Sequence, residues 1–314
     1  MDIALPIQFV LLVVGFVMLV KGADWFVEGA AGIADRFGIP QLVIGLTIVA
    51  MGTSAPEAAI SITSALKGNA GITIGNVVGS NILNVLLILG ITALIVSLQV
   101  QKSTFVAEIP FVVAITVLLL VLGVNGNGLN RIDGVILVAV FCLFLFYLFQ
   151  MAKKGKEQEE VPEDKKRKIW QLVLLTLVGL VLIVGGSDVT VDSASAIAKF
   201  FGMSDRLIGL TIVAFGTSLP ELITSVTAGI KGKADLAVGN IVGSNIFNIL
   251  FVGGITALIT PVVFESKFIV DTLVAAGAAI LLWICVCNKE KKLKRPGGVV
   301  MLLGYAAYFI YLLQ

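Results

Sequence analysis

Two hexapeptides carry residues whose types and spacing can do chemistry. Gly52–Glu57 reads GTSAPE, and Gly216–Glu221 reads GTSLPE. Each lies near the middle of a long apolar run, where an ionised carboxylate costs at least ~2.5 kcal/mol. An unpaired Glu there either takes a proton or binds a cation, and no Lys or Arg is near either one in sequence. Thr53 and Glu57 are i and i+4, hence on one helix face, with Ser54 adjoining it; Thr217, Ser218 and Glu221 repeat the arrangement. Pro56 has no N–H for the Gly52 carbonyl, and Pro220 none for Gly216. A helix broken this way leaves backbone oxygens in need of partners around Ala50, Met51 and Gly52 and their equivalents from Ala214 onward, and a cavity lined by them suits a cation. The bland alternative, a protonated Glu that only packs helices, fits a single residue better than a duplicated pair.

A second pair of motifs follows. Gly75–Asn84 reads GNVVGSNILN and Gly239–Asn248 reads GNIVGSNIFN. Asn76, Ser80 and Asn84 recur every four residues and form one polar stripe, matched by Asn240, Ser244 and Asn248. Gly75 and Gly79, like Gly239 and Gly243, read as packing positions that allow close helix approach. Asn81 and Asn245, one step off the stripe, suit interhelical hydrogen bonding at least as well as ligation. All these donors are hard oxygens, which favours Na⁺, Ca²⁺ or Mg²⁺ over zinc or copper. Two carboxylates balance one divalent ion. Ca²⁺ accepts six to eight irregular oxygens, whereas Mg²⁺ demands a tight octahedron, and neutral Ser, Thr and carbonyl oxygens also suit Na⁺.

Such sites need elements that hold them within a bilayer. Of 314 residues, 58% are hydrophobic and 13% charged, about half the charge of a soluble domain. A soluble or disordered chain is excluded. Apolar runs long enough to span a membrane fall at about 5–27, 40–66, 71–96, 104–123, 132–151, 169–191, 204–230, 235–260, 267–288 and 297–313. The expected fold is an all-α polytopic membrane protein of ten transmembrane helices. With the N-terminus outside, 17 Lys and Arg fall on the inner face and 5 on the outer; the positive-inside rule then places both termini outside and 152–168 as a cytoplasmic linker. An N-terminus without a basic region reads as a first membrane helix, not a cleaved signal.

Residues 47–95 and 211–259 align without a gap at an offset of 164, with 29 identities in 49 positions. The expected organisation is a first five-helix repeat over 1–151, the linker 152–168, and a second repeat over 169–314. Five spans is an odd number, so the second repeat enters the membrane from the opposite side. Inverted repeats with a midplane site mark secondary transporters. The residues alone thus point to a cation transporter for Ca²⁺, Na⁺ or both.

The paired GTS-x-PE and GN-x-x-GSN-x-x-N motifs resemble the α-repeats of the cation/Ca²⁺ exchanger superfamily, and the chain is similar to its prokaryotic sodium/calcium exchangers. That resemblance implies a core of the second, third, seventh and eighth helices, a diamond of four cation sites, and first and sixth helices that slide across the core. It implies Glu57 and Glu221 as the Ca²⁺ carboxylates and backbone carbonyls from Thr53 and Thr217. It assigns Ser54, Ser80, Ser218 and Ser244, with the carbonyls of Ala50 and Ala214, to flanking Na⁺ sites, and places Asn84 and Asn248 at the centre. Several Na⁺ would exchange for one Ca²⁺, making transport electrogenic. Some relatives, the potassium-dependent exchangers among them, carry Asp where this chain has Asn248, so K⁺ independence is expected.

Competing readings are a Ca²⁺/H⁺ antiporter, an intramembrane carboxylate protease and a channel. The duplicated Ser residues favour Na⁺ over H⁺, and the chain has no His. A catalytic dyad would not need a duplicated polar stripe, and two fixed carboxylates hold a divalent ion too strongly for fast conduction. The expected protein is therefore no enzyme and needs no cofactor. Its substrates are Ca²⁺ and Na⁺, its surroundings the lipid of a plasma (inner) membrane, its partners not nucleic acid, and its functional unit a monomer. Cys142, Cys285 and Cys287 read as core thiols. Asp24, Glu28, Asp188 and Asp192 read as solvated ends of the first and sixth helices, or as cation attractors in the vestibules.

Overall fold

The computed structural model describes residues 5–67, 72–126, 128–156, 168–203 and 214–312. Among the described residues the fold is all-α apart from two tiny ribbons. The helices are α1 (Leu5–Phe37), α2 (Gln41–Thr53), α3 (Ala55–Leu66), α4 (Thr73–Ile95), α5 (Thr104–Val124), α6 (Arg131–Lys156), α7 (Ile169–Phe200), α8 (Leu219–Ile230), α9 (Ala234–Ile259), α10 (Lys267–Val286) and α11 (Arg295–Leu312). Each expected apolar run holds one of them, with α2 and α3 sharing the second run across a 51° bend. Among the described residues seven helices are long and apolar enough to span a bilayer, or eight with that bent pair as one span. The seventh run begins within 204–213, outside the described residues, and continues through a short turn at Ala214–Gly216 into α8.

α1 and α7 run well beyond the apolar stretches that announce them. Nothing breaks α1 until Gly38, at φ 60, and Pro40, and Gly202, at φ 87, ends α7 the same way. The N–H of Ile39 bonds the Ala34 carbonyl, and that of Met203 the Ala198 carbonyl, at 2.9 and 3.0 Å. Both are left-handed glycine stops in which the next N–H satisfies a late helix carbonyl. Asp24, Glu28, Asp188 and Asp192 therefore lie inside these helices, not at their ends.

The ribbons reveal the symmetry. β1 (Leu98–Gln99) pairs antiparallel with β4 (Lys292–Leu293), and β2 (Gly128–Leu129) with β3 (Val262–Val263). Leu98 faces Leu293 and Leu129 faces Val262. The offset of 164 converts one register into the other, so the halves are related by a pseudo-two-fold rotation. Because α5 runs from β1 to β2, the ribbons sit at opposite ends of the molecule. Lys294, at 3.0 Å from Glu290 beside the β1–β4 ribbon, holds that carboxyl below its usual range.

Burial sorts the helices into layers. α9 and α4 are mostly enclosed, at 83% and 72% of their apolar windows, whereas α1 is 17% buried. The outer face of α1 shows Val10, Val13, Phe16 and Val17, a surface fit for lipid. Its inner face lies along α7 at glycines. A Cβ on Gly15 would come within 3.0 Å of the Gly186 carbonyl oxygen, and one on Gly22 within 2.9 Å of that of Gly179. The offset maps Gly15 to Gly179 and Gly22 to Gly186, so this seam too is two-fold symmetric. The cysteines depart from the core reading. Cys142 and Cys287 are exposed and Cys285 half-buried: α6 is an outer helix with apolar residues facing outward, and Cys287 follows the end of α10 at Val286.

Candidate cation site

The helix break at Ser54 builds the site. Ser54 has φ −83° and ψ 8°, and α3 restarts with Pro56 in its first turn, where a missing N–H costs nothing. Ser218, at φ −95° and ψ 6°, and Pro220 do the same ahead of α8. Glu57 and Glu221 thus fall in the first turns of α3 and α8, and both are 1% exposed.

The break also changes which residues meet. Ser54 does not serve the Glu57 of its own motif. Its hydroxyl donates to Glu221 Oε1 at 2.8 Å, and Ser218 donates to Glu57 Oε1 at 3.3 Å. Each carboxylate is held by the other repeat. The Thr53 hydroxyl reaches across to Asn240 Oδ1 at 3.0 Å. Thr217, half-buried, holds the equivalent position at the second break.

The polar stripes of α4 and α9 support this centre. Asn76 Nδ2 donates to the Glu57 carbonyl at 3.0 Å and to Ser61 at 2.9 Å. Asn240 Nδ2 donates to the Glu221 carbonyl at 3.4 Å and to Ser225 at 2.9 Å. These two Asn clamp the backbone that carries the carboxylates. Asn81 and Asn245 exchange Nδ2-to-carbonyl bonds at 3.1 and 3.3 Å, the interhelical role open to them from sequence. Asn84 Nδ2 then donates to Asn245 Oδ1 at 3.1 Å, and Asn248 Nδ2 to Asn81 Oδ1 at 3.3 Å. The backbone around Asn84 and Asn248 is π-wound, over Leu83–Leu89 and Phe247–Val252, a widened turn frequent at functional sites.

With their amides committed, Asn84 and Asn248 present oxygens. Glu57 Oε2, Glu221 Oε2, Asn84 Oδ1 and Asn248 Oδ1 are all buried without a hydrogen-bond partner. Buried polar atoms are normally satisfied; other buried oxygens, Glu108 Oε2 among them, also lack a partner, but these four pair two carboxylates with two amides across the repeats, donors of the kind a desolvated cation takes. Among the described residues neither Glu has an ion-pair partner, and no group of three His, Cys, Asp or Glu exists.

The remaining candidate residues are less open. The Ala50 carbonyl already accepts the Ser54 N–H at 3.0 Å and the hydroxyls of Thr53 and Ser244, both at 3.4 Å. The Gly216 carbonyl, freed by Pro220, accepts the Ser187 hydroxyl of α7 at 2.7 Å. Ser80 is buried on α4, and Ala214 opens the short turn before Thr217. Gly239 and Gly243 do pack closely: a Cβ would meet the Leu42 carbonyl oxygen at 3.0 Å and Leu46 Cα at 2.7 Å. Gly79 has nothing within 4 Å, and the residues that would stand opposite it by symmetry, near 210, lie outside the described residues. Sequence reasoning missed Glu108 on α5. It is 1% exposed, accepts the Tyr147 hydroxyl, and lines a cavity of about 270 Å³ against Phe111 and Phe144. A carboxylate inside the 104–123 apolar run is itself a signal, but the repeat offset pairs Glu108 with Thr272, so no carboxylate twin draws attention to it.

The family model described as sodium/calcium exchanger protein matches residues 7–150 and again 171–314. The inner membrane protein YrbG of Escherichia coli is 34% identical over 315 residues, covering 96% of this chain and 94% of its own. The sodium/calcium exchanger MaX1 of Methanosarcina acetivorans is 34% identical over 345 residues, covering 98% of each. A solved structure of the sodium-calcium exchanger NCX_Mj, soaked with zero Na⁺ and Ca²⁺, superposes with a TM-score of 0.85 at 32% identity, covering 98% of this chain and all of that one. Two matched repeats, an all-α membrane fold and full-length likeness lead to one assignment: the chain belongs to the sodium/calcium exchanger protein family, and it is a membrane transporter, not an enzyme.

Proposed function

We propose that this protein is a secondary antiporter that exchanges Na⁺ for Ca²⁺ by alternating access. The observation that carries this reading is the set of four buried, unpartnered acceptors on Glu57, Glu221, Asn84 and Asn248. Two negative charges and neutral amide oxygens suit one Ca²⁺ or the smaller charge of Na⁺, since both take hard oxygen ligands. Thr53, Thr217, Ser54, Ser218, Ser80, Ser244 and the carbonyls of Ala50 and Ala214 surround these four. The hydroxyls of Thr53, Ser54, Ser218 and Ser244 and the Ala50 carbonyl take part in hydrogen bonds within the protein and turn to the ions when these bind. Asn248 in place of a third carboxylate makes exchange K⁺-independent. Unequal charge exchange makes it electrogenic. The protein works as a monomer in the plasma (inner) membrane, with both termini outside and the basic 152–168 linker in the cytoplasm. MaX1 and NCX_Mj, both named sodium-calcium exchangers, agree with the reading.

The test is Ca²⁺ uptake into vesicles reconstituted with the purified protein. Uptake driven by an outward Na⁺ gradient, with or without K⁺, is expected. Uptake driven by a pH gradient alone would overturn the Na⁺ reading in favour of Ca²⁺/H⁺ antiport.

A further inference from the structure

The two halves differ where the α1–α7 layer meets the helices that carry the site carboxylates. The repeat offset carries Asp24 of α1 to Asp188 of α7, and Lys67 after α3 to Lys231 after α8. The sequence thus encodes two equivalent acid–base pairs, Asp24 with Lys231 and Asp188 with Lys67. Only the first is formed. Lys231 Nζ lies 2.7 Å from Asp24 Oδ1 and 3.0 Å from the Asp24 carbonyl oxygen, gripping both. Asp188 and Lys67 are exposed, and among the described residues neither has an ion-pair partner.

Packing is unequal in the same sense. α1 lies against α8, while the symmetry-related α7 and α3 make no comparable contact. At the start of α8, Leu219 and Pro220 are buried, whereas their counterparts on α3 differ: Ala55 is exposed and Pro56 half-buried. The molecule is closed where Asp24 meets Lys231 and parted where Asp188 would meet Lys67. Each pair also bridges the glycine-seamed α1–α7 layer to one of the two helices that carry the site carboxylates.

We propose that Asp24–Lys231 and Asp188–Lys67 are reciprocal latches, one formed at each end of the molecule in turn as the α1–α7 pair moves across the core. The inference rests on the antiport reading only for its purpose. The four residues are positioning residues that bias which end is open, and they do not touch the ion. Partly exposed ion pairs are individually weak, which suits a latch that must open in every cycle.

The test uses cysteine cross-linking in a background with Cys142, Cys285 and Cys287 replaced by Ser. Asp24→Cys with Lys231→Cys should cross-link rapidly in ion-free membranes. Asp188→Cys with Lys67→Cys should cross-link slowly, and about 2–5-fold faster once Asp24→Asn removes the formed pair. The charge exchange Asp24→Lys with Lys231→Asp should return the slower rate. An unchanged or reduced Asp188→Cys/Lys67→Cys rate on adding Asp24→Asn overturns the proposal. So does the absence of that cross-link in protein whose unfolding midpoint matches the background. The readout needs no flux. If the rates shift as expected in a protein that fails to exchange Na⁺ for Ca²⁺, the latches stand and the exchange reading alone falls.

Discussion

Replacing Glu221 by Gln isolates the contribution of charge at the site. Glu221 Oε1 accepts the Ser54 hydroxyl at 2.8 Å, and Oε2 is buried with no partner. Gln preserves the volume and an oxygen for Ser54, so the local fold should persist. Without ions an unpaired Glu at this depth takes a proton, so Gln replaces a neutral acid with a neutral amide of the same shape, whose N–H₂ needs acceptors. The ion-free unfolding midpoint should therefore not fall. With Ca²⁺ the substitution removes one partner of a buried charge pair, a loss of about 3–5 kcal/mol, or roughly 10²–10⁴ in Kd. At a Ca²⁺ concentration of about 100 Kd, binding adds ~2.7 kcal/mol to the stability of the unsubstituted protein; with Kd raised ~10³-fold the same concentration adds less than ~0.1 kcal/mol. Thermal unfolding in detergent, with and without Ca²⁺, reads this directly. Glu108→Gln is the control, since that carboxyl is equally buried but bonded to Tyr147 away from the site; it should keep the full Ca²⁺ shift. A Glu221→Gln protein that also keeps the full shift would refute the placement of Ca²⁺ between the two carboxylates.

Asn245→Ala deletes the acceptor of Asn84 Nδ2 and the donor to the Asn81 carbonyl. At about 1–3 kcal/mol for each buried group left unsatisfied, the unfolding midpoint without ions should drop clearly, and a midpoint equal to that of the unsubstituted protein would deny the cross-repeat bonds any structural role. Gly216→Ala sets a Cβ 2.0 Å from Val191 Cγ2, a clash of about 1–3 kcal/mol. Because the obstacle is a side chain, Val191→Ala in the same protein should restore stability and flux together, whereas no rescue would mean that the glycine is required for its backbone.

The residues show clearly which parts of this molecule were legible in advance. Glu57, Glu221 and the Asn stripes stand out because polar groups are scarce in apolar runs, and the repeat couples each to its twin. The partner of Ser54 was not legible. Local helical spacing puts that hydroxyl beside Glu57, but the 51° bend at this residue hands it to Glu221, 167 positions away. The π-wound turns at Asn84 and Asn248 leave no periodic trace either, because one extra residue per turn does not alter which residues are apolar. α1 and α7 are longer than their apolar runs for a related reason. Hydropathy reports where lipid ends, whereas Gly38 and Gly202 determine where the helix does. Cys142 and Cys287 are exposed although their apolar runs suggest core, because in a bilayer apolar side chains face outward as readily as inward.

The bonds between Asn81 and Asn245 have a consequence beyond holding the site. Each residue touches its own repeat equivalent, and each gives what it receives. That is the signature of an isologous interface, the kind formed between two identical subunits about a two-fold axis. The chain is built as a homodimer of oppositely inserted halves fused end to end. The same self-matching governs the two ribbons, where a strand of one half completes a loop of the other. Neither half can close its own polar centre or pair its own strands, so assembly is a dimerisation within one molecule, completed only after the second half has entered the membrane.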